Sequence, residues 1–140
     1  MRKFAVTAVA AAALLATSGM EASAQTSDTR QLAGVWRNPK NTVHVRIQPC
    51  GSNVCGTVAW ASRQAIAAAR ESGTPNLLGT QLFREFRRES EGYWGGRVFV
   101  PDMGRTFSGT LRLSGPNAVV ARGCLIGRFL CKSQTWVRVG

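Results

Sequence analysis

The feature that most constrains the fold of this 140-residue chain is the placement of its four cysteines in two closely spaced pairs. Cys50 and Cys55 are separated by four residues, and Cys124 and Cys131 by six. Each pair flanks a turn-like segment between alternating apolar and polar residues, which favours two hairpins. Four cysteines allow three pairings, and we predict the disulfides Cys50–Cys55 and Cys124–Cys131. Zinc binding by the cysteines is the alternative, but the spacings lie outside the common C-x2-C pattern.

The amino-terminal segment predicts an oxidising compartment for these cysteines. A basic start is followed by an apolar, alanine-rich run that ends in Ala22-Ser23-Ala24, which fits a signal peptidase. We therefore predict that residues 1–24 are a secretory signal peptide. Residues 25–140 are then one exported domain, in the periplasm or secreted, where disulfides persist.

The first cysteine pair also predicts a strand register. If its two cysteines lie directly opposite each other, antiparallel pairing sets Ile47 against Val58 and Val45 against Trp60, all on one face. The apolar sets match in this register, whereas a slip of one residue would scatter them. We therefore expect these four side chains to face inward.

The second cysteine pair predicts a register without deciding which face is buried. Opposing its cysteines sets Val119 against Trp136 on one face and Val120 against Thr135 on the other. Both faces are partly apolar, so the sequence does not decide which face of the last two strands points inward.

Along the rest of the chain, short β-branched and aromatic stretches alternate with turn residues. Pro101-Asp102-Met103-Gly104 joins two strands in which Trp94 faces Leu111 and Val98 faces Phe107. The predicted strands are 33–37, 42–48, 54–60, one within 77–86, 93–100, 105–113, 117–123 and 133–139, with one short helix at 62–72. About eight such strands predict an all-β fold, a single antiparallel up-and-down barrel that closes on itself.

The interior of such a barrel is the predicted binding site. Its wall would consist of Val45, Trp60, Trp94, Val98, Phe107 and Leu111, with the helix at 62–72 as a lid. The same side chains could instead fill the interior as an ordinary core. The sequence leaves both alternatives open.

Several motifs, in matching order, resemble an uncharacterised bacterial exported family named domain of unknown function 2147. They are Gly34-Val35-Trp36, Cys50-Gly51, Cys55-Gly56, the stretch at 93–99 and Thr135-Trp136. The resemblance covers nearly all of the mature chain. It implies a lipocalin-like barrel, export to the periplasm and no established activity.

A second resemblance concerns the first and last strands. Gly34 and Trp36 resemble the Gly-x-Trp signature of lipocalin first strands, in which an arginine near the last strand packs over the tryptophan. Arg138 is the matching arginine here. The resemblance implies a structural role for all three residues.

No combination of residues predicts a catalytic site, a metal site or a cofactor site. His44, the single histidine, falls on the strand face opposite Val45 and Ile47, which predicts a surface imidazole. We therefore expect a binding protein for a small apolar or amphipathic ligand, and not an enzyme. The alternative is an interaction or inhibitor module that binds a protein or an envelope polymer through the disulfide-held loops 51–54 and 125–130.

Charge predicts the kind of surroundings that suit this protein. Residues 25–140 keep 16 Lys or Arg (18 minus 2) and 6 Asp or Glu (7 minus 1), a net charge of +10. Such a surface attracts anionic envelope components. We expect no specific nucleic-acid partner and no transmembrane segment in the mature chain.

Overall fold

The computed structural model describes residues 5, 7–16, 26–127 and 129–140. Eight strands form a closed antiparallel barrel in which each strand pairs with its neighbours in sequence and β8 returns to β1. The predicted fold is therefore confirmed. Of the predicted signal peptide, residues 7–16 form neither helix nor strand, and the cleavage segment 22–24 lies outside the described residues.

The elements follow the predicted order with shifted boundaries. The barrel consists of β1 (Gly34–Arg37), β2 (Val43–Cys50), β3 (Asn53–Ala61), β4 (Gln81–Ser90), β5 (Tyr93–Val100), β6 (Arg105–Leu113), β7 (Ala118–Ile126) and β8 (Phe129–Arg138). Two helices accompany it, α1 (Ser27–Leu32) before β1 and α2 (Arg63–Glu71) between β3 and β4. The described residues contain no helix that is long and apolar enough to cross a membrane.

Both predicted disulfides are present, so the cysteines are not zinc ligands in this structure. The register predicted from the first one is wrong by two residues, because Cys50 pairs with Asn53 and Gln48 pairs with Cys55. The disulfide therefore joins diagonal neighbours on one face. The physical reason is the turn: Gly51, at φ +62°, and Ser52 form a two-residue loop, and loop length fixes the register of a hairpin.

The registers predicted for the other two hairpins are confirmed. Trp94 pairs with Leu111 between β5 and β6, and Val119 pairs with Trp136 between β7 and β8. The structure also decides which face of the last hairpin is buried. Val119 is fully buried and Trp136 is 6% exposed, so their face points into the barrel.

The two ends of the barrel differ. At one end, which we call the closed end, α1 packs against the barrel, and the indole Nε1 of the fully buried Trp36 donates a hydrogen bond to the Leu32 carbonyl (2.9 Å). Turns alternate between the ends of an up-and-down barrel. The β1–β2 turn, α2, the β5–β6 turn and the β7–β8 turn therefore share the opposite end, which we call the open end.

Candidate ligand-binding cavity

A cavity of about 890 Å³ enters the barrel from the open end. Its mouth is formed by the β1–β2 turn, α2, the β5–β6 turn and the tip of the β7–β8 hairpin. The side chain of Ser62 caps α2 by accepting a hydrogen bond from the Ala65 amide (3.1 Å). After the helix, the Ser72 hydroxyl donates to the Asp102 carbonyl (2.6 Å), which ties the end of α2 to the β5–β6 turn.

The floor of the cavity is apolar and aromatic. Leu82, Phe83, Val98, Phe107 and Trp136 line it. Phe83 packs edge-on against Trp136, with 5.4 Å between the ring centroids. These side chains come from β4, β5, β6 and β8, so the floor closes only when the sheet has closed into a barrel.

The six residues predicted as a ligand wall have three different positions. Val98 and Phe107 line the cavity. Val45, Trp94 and Leu111 are fully buried and contribute to the core instead of the cavity lining. Trp60, the sixth, lies on the outer face of the sheet.

Trp60 was expected inside the barrel, and this expectation is wrong, because its side chain is 44% exposed. The pairing of β2 with β3 shifts between His44 and Val45, so that Val45 faces Val58 but His44 faces Trp60. Ala59 of β3 is therefore left without a partner on β2, and this β-bulge moves Trp60 to the outer face of the sheet. There its ring lies 4.6 Å from the His44 ring.

The inner face of β8 carries polar side chains that the sequence pattern did not indicate as a site. Alternation from the buried Trp136 places Gln134 and Lys132 on the same inward face, and all three line the cavity. We call these three residues the β8 column. Their cross-strand partners on β7 are Val119 opposite Trp136, Ala121 opposite Gln134 and Gly123 opposite Lys132.

The partners of the β8 column become smaller toward the mouth, so space widens around Lys132. A Cβ added at Gly123 would meet no atom within 4 Å. Lys132 and Gln134 are both exposed and line the cavity, and neither side chain makes a hydrogen bond or ion pair within residues 26–127 and 129–140. At the bottom of the column, the buried indole Nε1 of Trp136 has no hydrogen-bond partner in the same residues.

Positive charge prevails around the cavity. Among the described residues that line it, Lys40, Arg122 and Lys132 are basic and Asp102 alone is acidic. Lys40 lies in the β1–β2 turn and Arg122 lies on the outer side of β7 by alternation, so Lys132 is the basic residue on the inner wall. An amphipathic ligand with a negative group would meet a complementary potential there.

At the closed end, Gly34, Trp36 and Arg138 form one packed unit. The Arg138 guanidinium carbon lies 4.2 Å from the centroid of the Trp36 ring, a cation–π arrangement. The guanidinium also donates to the carbonyls of Ala33 (2.9 Å) and Gln31. Gly34 has φ +140°, and a Cβ there would lie 2.7 Å from the Gly140 carbonyl oxygen, so only glycine fits under the arginine.

His44 lies outside the cavity. Its Nε2 is 2.7 Å from the Asn41 Oδ1, and its ring contacts Trp60. Among the described residues, no three His, Cys, Asp or Glu side chains are grouped as a metal site. The cavity wall and the histidine are therefore separate features of the molecule.

Comparisons with known proteins agree with this geometry. A search of solved structures finds a Helicobacter pylori protein described as "Protein HP1028 from the human pathogen Helicobacter pylori belongs to the lipocalin family". The TM-score is 0.62 at 10% sequence identity, and the match covers 78% of this chain and 83% of that one. At this identity the similarity shows the fold alone. The comparison with curated proteins gave no match.

The family comparison covers most of the barrel. A family model described as "Uncharacterized protein conserved in bacteria (DUF2147)" matches residues 34–138, from the start of β1 to the end of β8. The resemblance noted from the sequence motifs is thereby confirmed. This chain belongs to the DUF2147 family of uncharacterised bacterial proteins, and it has a lipocalin-like fold.

Proposed function

We propose that this protein is an exported binding protein that carries or senses one small apolar or amphipathic molecule inside its barrel. The observation that carries the proposal is the open cavity of about 890 Å³ with an aromatic floor. Ligand sites commonly have volumes of about 300–1,000 Å³ and combine apolar walls with a few polar groups. Eight-stranded barrels of this type have room for one small ligand.

Two further observations support export and binding over catalysis. Both disulfides favour an oxidising compartment, since the reducing cytoplasm keeps thiols from forming disulfides. The histidine is held on the outer face by Asn41 and Trp60, away from the cavity. The polar groups on the cavity wall, Lys132 and Gln134, suit recognition of a head group.

Partly filling the cavity is expected to weaken ligand binding without unfolding the barrel. In Gly123→Trp the new ring would enter the open space beside Lys132, whereas Val120→Trp places the same ring on the outer face of the same strand. We expect Gly123→Trp to weaken binding of the neutral dye N-phenylnaphthylamine by at least about tenfold, or about 1.4 kcal/mol, and Val120→Trp to leave it unchanged. Fluorescence titration measures both.

Native mass spectrometry provides the second test of the same proposal. Wild-type protein taken directly from its producing cell should carry a bound small molecule, which Gly123→Trp should lack. Equal dye affinity in both tryptophan variants, or an unbound wild type that also rejects the dye, would contradict the proposal.

A second function, an interaction module, is favoured by the tip of the β7–β8 hairpin. The disulfide Cys124–Cys131 closes this hairpin, and four large apolar side chains beyond it are more than half exposed: Leu125, Ile126, Phe129 and Leu130. Exposed apolar groups held on a rigid loop are typical of a contact surface for another protein.

Phe129→Ser tests this second function. We expect it to reduce capture of a protein partner from a periplasmic extract, whereas Leu78→Ser, which removes a 55% exposed leucine from another loop, should not. Quantitative mass spectrometry of the captured proteins measures the difference. If both serine variants capture the same proteins in the same amounts as wild type, the hairpin tip is not the contact surface.

A further inference from the structure

We infer that the ligand is a single-chain amphiphile with an anionic head group, carboxylate or phosphate, and that Lys132 and Gln134 bind this group inside the barrel. The inference rests on the proposed function and specifies its ligand. Its starting point is the β8 column, which interrupts an otherwise apolar inner wall with one cationic and one amide side chain.

A lysine on the inner wall requires an explanation that packing does not provide. Inward positions of small barrels are ordinarily filled by apolar side chains. Here the two β8 positions above Trp136 are polar, and the β7 residues opposite them are the small Ala121 and Gly123. The combination leaves a recess beside an ammonium group and an amide donor. That is the shape and chemistry of a head-group site.

The sign of the head group follows from the charges that face the recess. Among the described residues that line the cavity, Lys40 adds positive charge at the mouth, and Asp102 in the β5–β6 turn is the one acid. A cationic head group would be repelled by Lys132, and a neutral one would gain only ordinary hydrogen bonds. Hydrogen bonds between charged partners are roughly twice as strong as neutral ones.

The depth of the cavity limits the apolar tail. Lys132 and Trp136 are four residues apart on β8, which is about 13 Å of strand at 3.3 Å per residue. Strands of such barrels tilt by about 35–45°, which reduces the depth to about 10 Å. A tail of this length would end against Phe83, Phe107 and the Trp136 ring. A single apolar chain of medium length matches this depth.

A matched pair of probes tests the head group separately from the tail. Decanoate and decanol have the same chain and differ in the charged group, and both are used to displace N-phenylnaphthylamine from the full barrel. We expect wild type to prefer decanoate by about tenfold, the ratio that corresponds to about 1.4 kcal/mol. Lys132→Gln should lose the preference, and Lys132→Arg should retain it.

Arg112→Gln serves as the control for net charge. Arg112 is exposed on β6 opposite Val120, on the outer face, so its replacement removes one positive charge without altering the cavity. The decanoate preference should persist in this variant. If it falls as much as in Lys132→Gln, general surface charge and not the recess attracts the anion, and the inference is wrong.

The remaining outcomes separate this inference from the proposed function. If the dye and decanol bind but wild type shows no preference for decanoate, the barrel is a binding protein with a different ligand, and the inference fails alone. If neither the dye nor either probe binds to wild type, the proposed function and the inference fail together.

Discussion

Trp36→Ala is expected to lower the free energy of unfolding by about 3–5 kcal/mol, the range for deleting a large buried aromatic side chain. Trp36 is fully buried at the closed end, where its Nε1 donates to the Leu32 carbonyl and its ring lies under Arg138. Deletion would leave a cavity, remove a buried hydrogen bond and detach α1 from β1. Urea denaturation monitored by circular dichroism measures the loss.

Trp60→Ala is the matched control for this prediction. Trp60 is also a strand tryptophan whose ring contacts a neighbouring side chain. It is 44% exposed, however, and its contact with His44 lies on the outer face. Removing it should cost less than about 1 kcal/mol, as most surface substitutions do. Equal losses in the two variants would show that the packed unit at the closed end does not stabilise the fold more than an exposed contact does.

Arg138→Gln separates the stabilisation by the cation–π contact from the loss caused by the void that Trp36→Ala leaves. A double-mutant cycle with Trp36→Ala should give a coupling energy of about 0.5–2 kcal/mol, because the guanidinium stacks on the ring within contact distance. Its hydrogen bonds to the carbonyls of Ala33 and Gln31 contribute to the single-variant loss but do not depend on the indole ring. A coupling energy near zero would assign the arginine to those carbonyls alone.

The fold was predictable because local patterns and the cysteines agreed on it. In the β7–β8 hairpin the disulfide and the register coincide, since Cys124 faces Cys131 directly. In the β2–β3 hairpin the two-residue turn at Gly51 and Ser52 fixes a different register, and the same kind of disulfide spans a diagonal. Cysteine spacing therefore indicates which strands are joined, whereas the turn decides the register.

The binding site was harder to predict than the fold, for two physical reasons. A single bulge at Ala59 of β3, opposite the step from His44 to Val45, moves Trp60 from the inner to the outer face, and no residue type in that stretch signals the bulge. Lys132 and Gln134 face a cavity, so their positions do not show the apolar alternation that marks a packed core. Their inward orientation follows by alternation from Trp136, which is two positions beyond Gln134 and four beyond Lys132, once Val119 is known to be buried opposite Trp136.

Helix α1 was also not predicted, because six residues are too few to show a helical period. The stretch that the sequence presents as a polar leader carries Asp28, whose side chain is 8% exposed. One carboxylate oxygen accepts hydrogen bonds from Arg88 Nε (2.8 Å) and from the Gly92 amide (2.7 Å). A single polar residue thus attaches α1 to the β4–β5 turn, from a distance of 60 residues or more in sequence.

Asp28→Asn is expected to lower the free energy of unfolding at pH 7 by about 1.5–3 kcal/mol, the range for hydrogen bonds to a charged group. This expected loss is smaller than the loss from breaking a fully buried ion pair. The Arg88 side chain is 38% exposed, so water can hydrate it when the carboxylate is lost. Asp102→Asn is the control, since this acid lies exposed in the β5–β6 turn, and its loss should cost less than about 0.5 kcal/mol.

The effect of Asp28→Asn should disappear in acid. Burial alone would raise the pKa of Asp28, but the hydrogen bond from the Gly92 amide, with Thr26 and Arg88 contributing, lowers it well below its ordinary value of 3.8. A carboxyl group whose pKa is depressed by folding stabilises the fold fully above its unfolded pKa, and this stabilisation is lost as the pH falls toward the folded pKa. The stability difference between wild type and Asp28→Asn should therefore be full at pH 7 and shrink steadily below about pH 4. Urea titrations across this range, with Asp102→Asn correcting for the other acids, measure the change, and a difference that stays constant down to pH 2 would show that the carboxylate charge does not hold α1 in place.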